Sequence, residues 1–419
     1  MDQGDIPDDA MDVEIKAEEY RETAIVIQHD WHLSMKEPIA KFFIGIAEAG
    51  SHATAFYDVQ ATKLVDEFSF TIFPQVGSPK VELQCALDEL KNLTITYNGR
   101  KTTFVPPVAV LELSGLSGAV KTFDVSSTGR TFVAADGKGS LVVASSGDGR
   151  TMRTLQGHIS DVFKARYFPS GMVVLTCGID LTARIWTIDS GICARVLSGH
   201  TQSVNDVGIV GIGKKVVTCS NDGSAILWNC GSGEAEQTWN LESGRCTALA
   251  VSEDSNRLAV AGELGKLAVV DLNLLTRKDI QLNLEPLAMC FGSGEDSSRY
   301  VYVGVSDGVL AYNALNGNFL GRIKTARGAV TCLKSFMDRL LVAFSDGSVA
   351  AYHLPQEHNV SGGTTSPEFE LTGSDCDPIY DMCILQRTLF TACRDGKVRK
   401  YKLLWGELAI MKMFRETLS

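Results

Sequence analysis

Short runs of alternating apolar and polar residues recur along most of the chain, and they come in pairs separated by a turn. In one such pair, Leu340 to Phe344 and Ser348 to Tyr352 flank the dipeptide Asp346-Gly347. Alternation with a period of two predicts half-buried strands, and Asp-Gly between two such runs predicts a β-hairpin. The pattern therefore predicts an all-β chain built from repeated hairpins.

The hairpins belong to a longer repeat. Gly157-His158 recurs as Gly199-His200, 42 residues later, and a threonine, an aspartate and a tryptophan recur in phase with it. The two sets are His158, Thr176, Asp180 and Trp186, followed by His200, Thr218, Asp222 and Trp228. A period of about 40 to 45 residues with a Gly-His pair and a terminal Trp is typical of WD repeats, whose four-stranded blades form β-propellers.

Weaker copies extend this series in both directions. Their turn pairs are Asp136-Gly137, Leu264-Gly265, Asp307-Gly308, Asp346-Gly347 and Asp395-Gly396. Together with the two strong copies they predict a seven-bladed WD40 β-propeller over residues 101–404, in which each blade buries its neighbours. We expect the strand Ala109 to Leu113 to complete the last blade. The alternative is that the C-terminal tail, residues 405–419, supplies this strand from Leu408 to Phe414.

Residues 1–100 do not repeat. Their pattern predicts helices from Lys36 to Ala49 and from Lys80 to Lys91, with strands at Glu67 to Phe73 and Leu93 to Tyr97. We therefore expect a small N-terminal α+β domain beside the propeller.

Composition narrows the class of protein. The net charge of -11 argues against a nucleic-acid partner, because phosphates require a basic surface. We find no secretory signal, no apolar run long enough to cross a membrane, and no CxxC pair among the 11 cysteines. We expect a soluble, cytoplasmic or nuclear protein that is monomeric when free and has no membrane partner, metal or cofactor.

His158, Thr176 and Asp180 also have the residue types of a hydrolytic triad. In a WD blade, however, the imidazole bridges the turn aspartate and a strand hydroxyl, which pairs groups that would be costly to bury alone. The set occurs twice, whereas an enzyme needs one active site, so we interpret both sets as structural tetrads and expect no catalysis. Gly208 to Lys214 resembles a phosphate loop, but Lys215 stands where Ser or Thr is required, and a tight turn is the better interpretation.

Four segments carry a more specific resemblance. Tyr167 to Gly171, Asp222 to Gly231, and Gly373 to Tyr380 with Ala392 to Tyr401 are similar to the proteasomal ATPase-associated factor 1 family. The likeness extends from about Leu155 to Leu403, although the fourth blade lacks both the Gly-His pair and the Trp. It implies a WD-repeat chaperone for assembly of the 19S proteasome regulatory particle base, which binds the C-terminal domain of a proteasomal AAA-ATPase subunit.

Propellers usually bind partners on the face that carries the inter-blade loops and the Asp-bearing turns. The residues predicted there are Asp161, Asp206, Asn221, Glu263, Asp375, Asp377 and Tyr380. An acidic face would attract a basic helical domain, and Tyr380 could serve as an aromatic anchor. The alternative is that the acids are solvated turn residues, or that Asp206 and Asp377 cap or pin turns.

Two other functions stay open at this point. A generic WD40 scaffold, such as a substrate receptor of a ubiquitin ligase, often has a separate helical docking box, which the N-terminal region does not offer. A hydrolase acting in the central channel needs a metal or acid cluster at the channel mouth, which the repeats do not suggest.

Overall fold

The computed structural model describes residues 23–48, 54–64, 67–242, 244–294, 297–325, 327–354, 367–374 and 377–403. The predicted tail, residues 405–419, and Asp375 lie outside these ranges. Within them the chain is all-β apart from one helix of four residues. No helix in these ranges is long and apolar enough to cross a bilayer.

Residues 23–105 form two packed β-sheets, which we call the N-terminal unit. Its elements are β1 (Ala24–Ile27), α1 (Trp31–Ser34), β2 (Ile39–Ala47), β3 (Thr54–Lys63), β4 (Phe68–Pro74), β5 (Leu83–Leu87), β6 (Leu93–Tyr97) and β7 (Arg100–Val105). Strands β1 to β4 form one antiparallel sheet in chain order, and β5 to β7 form a meander. A shared core that includes Trp31, Ile44 and Leu93 lies between the two layers.

The α+β prediction for this unit is not confirmed, since Trp31–Ser34 is the single α-helix among the described residues. Both predicted helices are wrong, because strands Ile39–Ala47 and Leu83–Leu87 occupy their places. Alternate residues of each strand are more deeply buried, which is the period of two that a strand requires. Short apolar runs satisfy helical and strand spacings equally, so periodicity alone could not separate them. The predicted strand Leu93 to Tyr97 is present, and the other predicted strand begins at Phe68.

The rest of the described chain forms a ring of sheets, which we number ring sheets 1 to 7. Strand β8 (Ala109–Glu112) comes first. Ring sheet 1 contains β9 (Val120–Val125), β10 (Thr131–Asp136), β11 (Leu141–Ser145) and β12 (Thr151–Thr154). Ring sheet 2 contains β13 (Val162–Tyr167), β14 (Val173–Gly178), β15 (Thr182–Thr187) and β16 (Cys193–Ser198), and ring sheet 3 contains β17 (Val204–Val210), β18 (Lys215–Ser220), β19 (Ser224–Asn229) and β20 (Ala235–Asn240).

The remaining sheets follow the same plan. Ring sheet 4 contains β21 (Cys246–Val251), β22 (Arg257–Gly262), β23 (Lys266–Asp271) and β24 (Arg277–Gln281), and ring sheet 5 contains β25 (Ala288–Phe291), β26 (Tyr300–Val305), β27 (Gly308–Asn313) and β28 (Phe319–Lys324). Ring sheet 6 contains β29 (Val330–Phe336), β30 (Arg339–Phe344), β31 (Val349–His353) and β32 (Phe369–Leu371), and ring sheet 7 contains β33 (Ile379–Leu385), β34 (Thr388–Cys393) and β35 (Lys397–Lys402).

The first strand of each ring sheet packs against the first strand of the next, and β33 packs against β9. Second strands such as β26 are buried along their whole length, because neighbouring sheets cover both of their faces. This closed arrangement of four-stranded sheets fits a β-propeller.

Strand β8 completes ring sheet 7. It pairs antiparallel with β35, with Leu111 opposite Val398. The prediction that Ala109 to Leu113 supplies this strand is therefore confirmed. The alternative strand, Leu408 to Phe414, lies outside the described residues.

A buried ion pair reinforces the same closure, and we call it the closure network. Arg166 of ring sheet 2 donates two hydrogen bonds to Asp381 of ring sheet 7, at 2.8 and 3.1 Å. Asp381 also accepts hydrogen bonds from the Thr122 hydroxyl and from the backbone N–H groups of Phe123 and Met382. Ring sheets 7, 1 and 2 are thus tied together through one fully buried carboxylate.

The N-terminal unit is joined to the ring by its last strand. Strand β7 pairs in parallel with β32, so that ring sheet 6 continues through β7 and β6 to β5. The Trp31 indole N–H donates to the Thr372 hydroxyl, with Nε1 and Oγ1 3.1 Å apart. Strand β7 begins at Arg100, the residue at which the sequence predicted the N-terminal domain to end.

Candidate protein-binding face

One side of the ring carries both the connections between ring sheets and the turns between the second and third strands of each sheet. Backbone hydrogen bonds join these two kinds of segment. The Ile179 N–H donates to the Asp161 carbonyl at 3.1 Å, and the Glu263 N–H donates to the Arg245 carbonyl at 2.9 Å. We call this side the turn face.

The turn face of ring sheet 2 is held by the first predicted tetrad. His158 Nδ1 lies 2.9 Å from Asp180 Oδ2, and His158 Nε2 lies 2.7 Å from Thr176 Oγ1. The Trp186 indole donates to the same hydroxyl at 2.8 Å. Burial lowers the pKa of His158, although Asp180 opposes this effect, so the ring is neutral at pH 7. We assign the Nδ1 proton to the bond with Asp180 and the threonine proton to the bond with Nε2.

The second tetrad repeats this geometry in ring sheet 3. His200 lies 2.8 Å from Asp222 and 2.7 Å from Thr218, and Trp228 donates to Thr218 at 2.9 Å. In both sheets the threonine is fully buried and its hydroxyl is already occupied by the histidine and the tryptophan. A buried polar set in which each member has a partner pins the turn, and it leaves the hydroxyl unable to meet a substrate.

Aspartates of the innermost strands also have structural partners. Asp124, Asp206 and Asp381 each accept a hydrogen bond from a backbone N–H group of the following ring sheet. The donors are Tyr167, Leu249 and Phe123, respectively.

In the described part of the chain, no group of three His, Cys, Asp or Glu side chains is arranged to hold a metal ion. The phosphate-loop resemblance falls on β17 and on the turn that follows it, between two strands of one sheet.

The predicted partner-binding residues are spread around the ring, and two of them are used by the fold itself. Asp206 accepts the Leu249 N–H at 3.1 Å. The Asn221 side chain accepts a hydrogen bond from Asn205 at 2.6 Å and donates to Ser203. These two side chains therefore position neighbouring strands and loops.

Two other predicted acids are paired with arginines on the turn face. Glu263 lies 2.7 Å from Arg245, and Asp377 lies 2.7 Å from Arg394. Each of these arginines offsets the charge of one predicted acid.

The last two predicted residues differ in what surrounds them. The Lys121 ammonium lies 3.9 Å from the centre of the Tyr380 ring, which it partly covers. Asp161 uses its backbone carbonyl to hold Ile179, and its half-buried carboxylate takes no part in that bond. Asp375 falls outside the described residues.

A cluster of exposed aliphatic side chains lies beside Asp161, and sequence reasoning missed it. Ile159 is 87% exposed, Ile179 is 45% exposed and Leu181 is 42% exposed. The Asp180 carboxylate accepts the Ile159 N–H at 3.4 Å, which joins the loop before β13 to the turn that holds the other two residues. We call these three residues the aliphatic patch.

Leu181 is one of eight described residues other than glycine whose backbone has a positive φ angle. Its φ angle is 66°, in the left-handed region that costs a non-glycine residue roughly 1–2 kcal/mol. The equivalent turn of ring sheet 3 has Gly223 at this position, with a φ angle of 80°. A strained, exposed leucine at the tip of a pinned turn favours a role in binding over a role in packing.

A sequence signal for the patch did exist. With the 42-residue period, Ile159, Ile179 and Leu181 correspond to Thr201, Asn221 and Gly223, which are polar or small. Residues that differ between two otherwise similar repeats mark positions that the shared fold does not require.

Comparison with known proteins agrees with this geometry. The family model described as WD domain, G-beta repeat matches residues 149–187 and 191–229, which contain the two tetrads. The chain carries WD repeats. Each matched WD repeat begins with the outer strand of one ring sheet and ends with the third strand of the next, so consecutive WD repeats interlock neighbouring sheets.

Curated relatives match parts of the chain at modest identity. Probable proteasomal ATPase-associated factor 1 of Dictyostelium discoideum is 29% identical over 150 residues, which are 36% of this chain and 34% of that protein. Proteasomal ATPase-associated factor 1 of Bos taurus is 35% identical over 74 residues, 18% of this chain and 17% of the relative. The human protein of that name is 53% identical over 34 residues, 8% of this chain and 9% of the relative.

The resemblance inferred from the sequence is thus confirmed at modest identity. The matched segments span about a third or less of the length of these relatives.

Proposed function

We propose that this chain is a non-catalytic, proteasome-related WD-repeat protein whose seven ring sheets are the blades of a propeller. In this proposal it binds the C-terminal domain of a proteasomal AAA-ATPase subunit and serves as a chaperone for assembly of the 19S regulatory particle base. It acts as a monomer in the cytoplasm or nucleus. The names of the curated relatives support the association with proteasomal ATPases.

The observation that carries a binding role is the aliphatic patch. Exposed branched side chains on a rigid turn lose little conformational freedom when a partner covers them. The tetrad and the Asp180 carboxylate already hold the patch residues in place before any partner arrives. A helical domain that presents an apolar stripe would bury these side chains and displace water from them.

Acidic side chains have a secondary role in this proposal. Asp161 lies at the edge of the patch and adds negative charge there, whereas Glu263 and Asp377 are balanced by their arginines. Charge at the rim of an interface changes the association rate and its salt dependence more than the lifetime of the complex. Tyr380, on ring sheet 7, is proposed as a second contact with the partner, away from the patch.

The test is a binding titration of the full chain against the isolated C-terminal domain of each proteasomal ATPase subunit, at two salt concentrations. We expect selective binding to one subunit, and we expect Ile159→Ser with Leu181→Ser to weaken it at least tenfold. Ile212→Ser is the matched control, because Ile212 is 76% exposed on the turn between β17 and β18, on the opposite side of the ring.

Three outcomes decide the proposal. Loss of binding in the patch variant and not in the control supports both the partner and the surface. Equal loss of binding in the two variants would show that the binding surface lies outside the patch. Failure to bind any subunit would overturn the partner and favour a generic WD40 scaffold or a ubiquitin ligase receptor, which affinity capture and mass spectrometry would then identify.

A further inference from the structure

A cleft lies where the N-terminal unit meets ring sheet 6. About 580 Å³ of space lies between its walls, a volume that includes solvent at its open mouth. Its walls come from the start of β1, from the hairpin between β6 and β7, and from the connection between β28 and β29. That connection belongs to the turn face, so the cleft borders this face at ring sheet 6.

The floor of the cleft is a buried ion pair. Arg327 lies 2.5 Å from the Glu370 carboxylate and donates a second, longer bond to the Ile25 carbonyl. Burial raises the pKa of Glu370 to about 7, while the ion pair with Arg327 opposes that rise. The floor is therefore neutral when Glu370 is ionised and positive when it is protonated.

The rim of the cleft is positive. Arg100 and Lys101 both line it, and both side chains are exposed. Neither one forms an ion pair within the residues that the structure describes. Two adjacent cations above a floor in which the charges are paired give the cleft a net positive charge. Such a cleft attracts an acidic group.

One segment of the chain has the complementary charge and begins at the cleft itself. Thr23, the first described residue, lines the cleft. Residues 1–22 contain nine acidic residues and two basic ones. The acidic residues nearest the cleft are Glu18, Glu19 and Glu22, at most five residues from Thr23, which is within about 18 Å for an extended chain.

We propose that the cleft is a binding site for an acidic peptide and that residues 1–22 of the same chain, the acidic arm, are its occupant. The covalent connection raises the effective concentration of the arm at the cleft to roughly the millimolar range, so even weak ion pairs with Arg100 and Lys101 suffice to hold it. The arm would then border the turn face on the side of ring sheet 6. The inference is independent of the partner proposed above.

The first test is site-specific photo-crosslinking of the full chain with p-benzoylphenylalanine in place of Tyr20. Crosslinks mapped by mass spectrometry should join the arm to peptides that contain Arg100 or Arg327. The variant Arg100→Glu with Lys101→Glu should lose most of this yield. The variant Lys63→Glu with Lys80→Glu is the matched control, because it makes the same change of charge at exposed lysines of the N-terminal unit that do not line the cleft.

The second test separates charge attraction from simple proximity. The variant for this test is the full chain in which the acidic residues of the arm are replaced by Asn and Gln. A labelled synthetic peptide of residues 1–22 should bind this variant at least tenfold tighter than it binds the natural chain. Binding should weaken as salt is raised. Crosslinks that map elsewhere, or the same crosslink yield in the cleft and control variants, would overturn the proposal, and so would a peptide that binds both chains equally.

Discussion

Replacement of Asp381 by alanine is the sharpest test of how the ring is closed. The carboxylate is fully buried, and its removal leaves the Arg166 guanidinium, whose side chain is only 19% exposed, without its counter-ion. Loss of one partner of a buried ion pair costs about 3–5 kcal/mol. Unfolding entropy is about 2.1 cal/mol/K per residue, so a loss of about 4 kcal/mol lowers the Tm of this chain by roughly 4–5 °C.

Asp206→Ala is the matched control. Asp206 occupies the same bulge position in ring sheet 3 that Asp381 occupies in ring sheet 7, and it also accepts the backbone N–H of a neighbouring sheet. It makes no hydrogen bond to an arginine among the described residues, so its loss should cost only about 1–2 kcal/mol. Differential scanning calorimetry of both variants measures the difference directly.

A second comparison isolates the charge. The double variant Asp381→Leu with Arg166→Leu should be more stable than Asp381→Ala alone, because the Arg166 guanidinium is then not left buried without its partner. If Asp381→Ala and Asp206→Ala lower the Tm by the same amount, or if the double variant is the less stable of the two, the closure network does not act through its ion pair.

The pH dependence of the Asp381 effect has a defined sign. Burial alone would raise the pKa of Asp381, but Arg166 and Lys164 hold it below its ordinary value. A carboxylate with a lowered pKa adds stability at pH values above the pKa of the unfolded chain, about 3.9, and this stability is lost as the pH falls further. The difference in Tm between the natural chain and Asp381→Asn should therefore shrink on acidification below that pH.

Three further predictions concern the tetrads and the turn face. Asp222→Ala should cost about 1–3 kcal/mol by leaving the His200 N–H unpaired, and equal melting temperatures for the variant and the natural chain would contradict this. Leu181→Gly should leave the Tm unchanged or slightly higher, because it removes left-handed strain, while weakening partner binding about tenfold; a large loss of stability would instead show that Leu181 packs into the fold. Burial lowers the pKa values of His158 and His200. Their contribution to the free energy of unfolding is therefore complete above pH 6.5 and is lost as the pH falls. The decline of Tm between pH 6.5 and 5 should thus be shallower in His158→Asn than in the natural chain.

The sequence predicted the ring well because its markers are local. The Gly-His pair, the turn aspartate and the strand threonine of a WD repeat lie within about 22 residues, so their period alone locates ring sheets 2 and 3. The role of strand Ala109–Glu112 was also predictable, because Ala109 to Leu113 and the following Ser-Gly resemble the segment before Gly199.

The features that the sequence did not reveal depend on distant contacts. Asp381 and Arg166 are 215 residues apart, and nothing near either residue identifies the other. The parallel pairing of β7 with β32 is equally remote. The ion pair of Asp377 with Arg394 was also not predicted, because it depends on the hydrogen-bonded hairpin of β33 and β34.

Strand β8 has a consequence for how the molecule is made. It leaves the ribosome about 285 residues before its partner β35 is available, and synthesis at about 5–20 residues per second puts roughly 15–60 s between the two events. During that interval β8 has no partner strand, and the ring sheets already synthesised cannot yet close into a ring. Until β35 is made, the first and last strands of the growing chain therefore have unpaired edges, which are sites where strands of other chains can pair.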